Sequence, residues 1–226
     1  MTETYKWLTK ESTGGYSNYR WPDAGEWTPA VTGDLMMCEN GYHLVTEEQI
    51  VGDYMQAGLW ECEYDGDRID HNDKICVRRA KLIHRVDTIN DRTLRLFAAD
   101  CAEHTLHFFE RDYPNDDRPR KAIEAARLFA EGKIDAAAGD AAGDAARAAA
   151  GAAAGDAARD AARAAAGAAA GAAAGDAARA AAWAAARDAA WAAAWAAARD
   201  AAWDAAWAAE RKWQCARFAQ YMRGEI

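Results

Sequence analysis

Glu61 and Glu63 stand one residue apart in the alternating stretch "LWECEYDG". On a strand, residues i and i+2 share a face, and paired carboxylates on one face are what acid–base chemistry uses. An edge strand that shows its acids to water has the same pattern. Cys38 and His43 are a second pair, across an Asn-Gly turn. They offer two ligands where a zinc site takes four at tighter spacings, so buried thiols and a turn histidine are the simpler account. No metal and no cofactor is expected. The third constellation is "RDAAWAAAWAAARDAAWDAAW", Arg187 to Trp207, in which every residue other than tryptophan is alanine, arginine or aspartate. Arginine over a tryptophan face gains roughly 0.5–1 kcal/mol when exposed. The candidate contacts for a ligand or partner are therefore Trp183, Arg187, Trp191, Trp195, Arg199, Trp203 and Trp207, with His43, Glu61 and Glu63 beside them. His104 and His107 read as surface residues, and "YPNDDRP" as a salt-bridged loop. With no phosphate loop, no GxSxG and no HExxH, no residue is assigned a catalytic role.

The elements that must position these groups fall into three segments. Residues 1–88 read as a small α+β domain, residues 89–134 as two amphipathic helices, and residues 135–226 as an all-α, alanine-rich region of tetrad repeats. In the first segment "YKWLTK" opens as a strand, and "YRWPDAGEWTPAVTGDL" reads as turns around short strands. "LMMCENGYHLV" predicts a strand, a turn and another short strand. "TEEQIVGDYMQAG" predicts a helix from an N-cap at Thr46 to Gly58. "LWECEYDG" alternates and ends in a turn, and "DKICVRRAKLIHRV" is a long strand. In the second segment Leu94, Phe97, Ala98, Cys101, Thr105 and Phe108 mark a helical stripe capped by Asn90 or Asp91. Proline ends it, and "PRKAIEAARLFAEGK" is a second helix that stops at Gly132.

From Gly139 to Trp207 every residue other than alanine falls on one of two phases of a four-residue repeat. Alanine is the best helix former, and each glycine costs roughly 1 kcal/mol against it. The glycines place possible breaks near 139–143, 151–155 and 167–175, with the "GD" pairs as stop and cap; the other reading keeps these glycines inside one helix, beside a close neighbour. From Asp176 to Met222 there is neither glycine nor proline, which predicts one uninterrupted helix. A four-residue step turns about 400°, so the tryptophan stripe drifts by about 40° per tetrad. No single straight partner helix covers such a stripe. Along it, i,i+4 spacing pairs Trp183 with Arg187, Arg187 with Trp191, Trp195 with Arg199, and Arg199 with Trp203.

The charge excludes one class of partner. Net charge is −9, and residues 1–91 hold 17 acids against 9 bases. Phosphate contacts need clustered lysine and arginine, so nucleic acid is not expected. The longest charge-free run of the alanine tract is too short to span a bilayer. Five cysteines without a CxxC pair, and no signal peptide, point to a reduced, cytoplasmic compartment.

The stretch "WPDAGEWTP…GDLMMCENGYHLVTEEQI…LWECEYDGD…DKICVRRAKL" resembles a domain of unknown function seen in phage and actinobacterial proteins, over residues 4–86. "NGYHLVTEEQIVGDYM" with "LWECEYDG" is also similar to part of an ADP-ribosyltransferase fold. "RLFAADCAEHTLHFFERDYPNDDRPRKAIEAARLFAEGKID", running on into the tetrads, resembles the immunity protein family associated with bacterial polymorphic toxins, over residues 92–222. That second resemblance implies an all-helical domain that neutralises a toxin by binding. The expectation is a non-enzymatic binding protein of phage or bacterial conflict systems, immunity-like or counter-defence, with a protein partner or self-association through the helical repeat. The alternatives are a self-assembling structural or virion-associated protein, and a sponge that sequesters a nucleotide signal.

Overall fold

The computed structural model describes residues 3–153, 156–169, 176–197 and 200–226. The chain folds into two compact units, one of Met1–Ile89 with Phe218–Ile226 and the other of Asn90–Arg217.

The first unit is a closed barrel of four strands: β1 (Thr4–Leu8), β2 (Tyr42–Thr46), β3 (Gly58–Asp70) and β4 (Ile75–Arg85). All pairings are antiparallel, in the order β1-β2-β4-β3. Small barrels are filled by their own side chains; here Leu8, Leu44, Ile75, Val77 and Leu82 form the core with Trp21. Strand alternation puts Trp7 on the opposite face of β1 from Leu8. Its indole N–H donates to the Ile50 carbonyl at 3.0 Å, and its ring meets Phe218 at 5.9 Å. The end of the chain thus closes this face of the barrel, and Thr88 Oγ1 donates to the Met222 carbonyl at 2.7 Å. Where β2 ends, residues 25–31 continue along β4: the N–H groups of Gly25, Thr28 and Val31 donate to Leu82, Ala80 and Arg78.

This region is a strand barrel rather than the α+β domain expected. The helix from Thr46 to Gly58 does not form. Thr46 opens only a 3-10 turn, Glu47–Gln49, with the Gln49 Oε1 accepting from the Thr46 N–H at 3.1 Å. After it the backbone runs through bends and a turn to Gly58, with Ile50 and Val51 both fully buried. At Gly52 the Tyr54 ring occupies the space a Cβ would need. The strand expected around Met36 is also replaced, by a loop closed between the Met36 and Asn40 backbones. The turn expected at Gly66 is a bulge, with φ of +86° and the register slipping between Asp65 and Arg68, and β3 runs on.

The second unit is helical: α1 (Asp91–Asp112), α2 (Arg118–Ala130), α3 (Ala136–Ala152), α4 (Asp156–Ala169), α5 (Asp176–Ala197) and α6 (Asp200–Met222), the last to Arg217. Asn90 caps α1 by accepting from the Arg92 and Thr93 N–H groups. Pro119 lies in the first turn of α2, and Gly132, at φ +69°, follows its end. α4 is the central helix and packs against α1, α2, α3 and α5. Its Ala158, Ala161, Ala162, Ala164 and Ala165 are fully buried. Alanine allows this closeness: a Cβ added at Gly167 would lie only 3.7 Å from the Ala185 backbone nitrogen of α5. The bulk that alanine lacks comes from α1. Phe97 and Phe109 are fully buried, and Phe109 is surrounded by Ala149, Ala150, Ala158, Ala161, Ala162 and Ala192.

Two expectations about the tract change. Gly139 and Gly143 lie buried inside α3 rather than breaking it, while helices do end at Ala152 and Ala169. The uninterrupted helix from Asp176 to Met222 is two helices that fold back on each other. Trp191 and Trp207 would stand about 24 Å apart along a straight helix, yet their rings are 5.5 Å apart. No glycine or proline signals the reversal. Ring-on-ring burial, which a lone straight helix cannot supply, accompanies it. Among the described residues no helix is long and apolar enough to cross a membrane.

Candidate functional site

Each unit carries one candidate. On the helical unit, α5 and α6 bring Trp191, Trp195, Trp203 and Trp207 together. Trp191 meets Trp203 at 5.5 Å and 71°, and Trp195 meets Trp203 at 4.5 Å and 87°. Edge-to-face pairs of this kind are worth roughly 0.5–1.5 kcal/mol beyond their buried area. The cluster is not sealed: Trp191 is 39 % exposed and Trp195 42 %. The drifting stripe is resolved by pairing two helices whose rings meet along one seam, leaving a tryptophan ridge on the surface.

The cation–π ladder expected along one helix is not what forms. Arg187 turns to Asp188 at 3.2 Å. The guanidinium over Trp183 is that of Arg211, from α6, at 5.3 Å. An antiparallel neighbour reaches the ring face more directly than a residue one turn along. Arg199, with its two expected pairs, lies outside the described residues. The i,i+3 spacing of aspartate and arginine in the tetrads predicts ion pairs, and Asp156–Arg159 and Asp160–Arg163 form them, both at 2.9 Å.

One turn beyond Trp207, α6 carries a buried polar network that pattern reading missed. The Glu210 side chain is 3 % exposed and lies 2.8 Å from His104 Nδ1 of α1. Gln214, fully buried, donates to the Glu210 carboxylate at 3.0 Å and to the Ala186 carbonyl of α5 at 2.8 Å. His104 and His107 are both exposed, as expected, and the His104 ring is stacked on Trp213 at 3.8 Å. Nearby, Asp100 accepts from both Arg127 and Arg217 at 2.8 Å. The available signal was period: Asp100 and His104 sit one turn apart beside the apolar stripe of α1.

In the barrel unit, a cleft of about 670 Å³ opens beside β1 and β2. Tyr19, Trp21 and Tyr42 form one wall, mutually edge-on with centroids 5.4–6.4 Å apart. Lys6 shares the inward face of β1 with Thr4 and Leu8. Its ammonium donates to the His43 carbonyl at 2.9 Å and lies 5.3 Å from the Trp21 ring centroid. Burial pushes Lys6 down to about 8. His43 Nε2 accepts from the Cys38 N–H at 3.0 Å. Burial first, then the Lys6 and Lys74 charges, hold His43 down at about 4. Cys38 and His43 thus form a turn contact, with Cys38 at φ +65°. All five cysteines are free, and among the described residues no group of three or more His, Cys, Asp or Glu is placed to hold a metal. Glu61 and Glu63 lie away from the cleft and have separate partners across β4: His84 at 3.4 Å and Lys81 at 2.7 Å.

The helical unit is an alanine-packed bundle that presents an aromatic ridge. Residues 84–221 match the Imm-5 like putative immunity protein family, and the chain belongs to that family. No curated protein and no solved structure matches the chain.

Proposed function

We propose that this chain is a non-enzymatic immunity protein of bacterial conflict systems, acting in the cytoplasm, and that it neutralises a toxin protein by binding it with the tryptophan ridge. Family membership over residues 84–221 carries the reading. The ridge supports it as the contact surface: two indoles stand well exposed over a base of further rings, and Arg187 and Asp188 are paired beside them. Tryptophan anchors packed in this way are common hot spots of protein interfaces.

The test is growth rescue. Bacteria expressing toxin domains of the polymorphic-toxin class are given the chain or its Trp191→Ala/Trp195→Ala variant. The chain should rescue growth against its toxin. The double variant should bind that toxin about a hundredfold more weakly, with its helical circular dichroism unchanged. Failure to neutralise any such domain removes the functional reading. Equal protection by the double variant removes the ridge from it.

A further inference from the structure

The barrel cleft lies outside the family-matched residues and needs its own account. Its central oddity is Lys6. A half-buried ammonium ordinarily faces a carboxylate, because burying an unpaired charge is costly. Lys74, on the same cleft, has Asp73 at 3.3 Å. Lys6 makes one hydrogen bond, to a backbone carbonyl, and no carboxylate lies within ion-pair distance of it among the described residues. An ammonium has three donors, so two remain. Space is kept for what they would meet: at Gly14 a side chain would begin 3.7 Å from Lys6 Nζ. His43 adds a donor of fixed kind. Its Nε2 accepts from Cys38, so in the neutral ring the proton sits on Nδ1.

Beside this cationic point stands an apolar wall. Trp21 is buried, while Tyr19 is 37 % exposed and closes over it. A single unpaired cation next to an aromatic wall, in a space of 670 Å³, is built for a molecule with a flat body and one negative end. We propose that the cleft binds a small planar aromatic anion, with its phosphate or carboxylate on Lys6 and its ring against Tyr19 and Tyr42. A mononucleotide and an aromatic carboxylate share that chemistry. The cleft would act alongside the toxin-binding ridge and does not depend on it.

Calorimetry on the full chain tests this with five probes: AMP, UMP, indole-3-carboxylate, inorganic phosphate and adenosine. Binding is expected for AMP and UMP if the source is a nucleotide, or for indole-3-carboxylate if it is a carboxylate. Phosphate alone and adenosine alone should each bind at least about tenfold more weakly, because each lacks half of the recognition. Lys6→Met keeps the aliphatic stem, and with Tyr19→Ala it should weaken binding about tenfold or more. Trp191→Ala should leave binding unchanged. The midpoint of thermal unfolding separates a ligand role from a structural one: Lys6→Met should hold or raise it, since it removes an uncompensated charge. Three results overturn the proposal: no aromatic anion binding at millimolar concentration, phosphate binding as well as the nucleotides, or Lys6→Met lowering the midpoint while binding persists.

Discussion

Inside the barrel, Leu8, Trp21, Leu44, Ile75, Val77 and Leu82 fill the core with varied shapes. Inside the bundle the same task falls to alanine, with Phe97 and Phe109 of α1 supplying the bulk. The varied core spreads its apolar energy over many side chains. The alanine core lets helices pack closely, then concentrates that energy in a few rings. This difference sets where each unit is vulnerable. In the bundle, Phe109→Ala should be the most damaging single change, at about 3–5 kcal/mol, because surrounding alanines have no long side chains to collapse into the cavity. Guanidinium unfolding followed by far-ultraviolet circular dichroism reads it. The converse change, Ala162→Leu, overpacks the central helix and should cost about 1–3 kcal/mol. If Ala162→Leu were neutral, the close-packed account of α4 would fail.

The barrel answers to pH where the bundle answers to volume. His43 is held at about 4 by burial and the nearby lysine charges. The unfolded chain binds a proton there near 6.5. Between those values the unfolded state carries more proton than the folded one, so stability falls as pH drops. The contribution is complete above 6.5 and is lost on passing about 4. Linkage caps it at about 3.4 kcal/mol, and solvent around this half-buried ring screens it to roughly 2 kcal/mol. Protonation also removes the acceptor for the Cys38 N–H. His43→Gln keeps an acceptor without the titration. The protection factors of barrel peptides, corrected for the slower intrinsic exchange in acid, should therefore fall between pH 6.5 and 4 in the parent and change much less in the variant. Matching pH profiles in the two proteins would sink this account.

Much of the bundle was legible because helix signals are local. Asn90, Pro119 and Gly132 mark ends that the structure keeps, and the aspartate–arginine spacing gives the pairs that form. The reversal between α5 and α6 was not legible, since the stretch has no glycine or proline and the rings that meet are far apart in the chain. In the barrel, β1 and β4 were readable from their residues. After Thr46 a good cap and an acidic first turn suit a 3-10 turn as well as a helix, and the bond from the Tyr54 hydroxyl to the Asp73 carbonyl, at 3.0 Å, is a contact that the local pattern does not show. Of the candidate residues, the tryptophans lie together, and Glu61 and Glu63 lie apart from His43. Lys6, the charge on which the cleft centres, gives no local signal, because a lysine between aromatics on a strand has the pattern of a solvent-facing residue. The clue was parity with Leu8, visible only once the inward face of β1 is known.

The smallest expected effect divides the repeat against itself. Asp144–Arg147 and Asp160–Arg163 are the same motif, three residues apart on the same tetrad phase. On α3 the Asp144 side chain is 74 % exposed, so its ion pair is screened by water. On the central helix the Asp160 side chain is 12 % exposed, and burial raises its pKa. Arg147→Ala should change stability by no more than about 0.5 kcal/mol. Arg163→Ala strips the partner from a carboxylate set among alanines and should cost about 1–3 kcal/mol. Denaturant midpoints of the two variants give the comparison directly. Equal losses would mean that repeat position, and not the neighbours each helix acquires on folding, sets the worth of a tetrad. Unequal losses in the expected order would mean that a nearly uniform sequence is given its differences by the bundle around it.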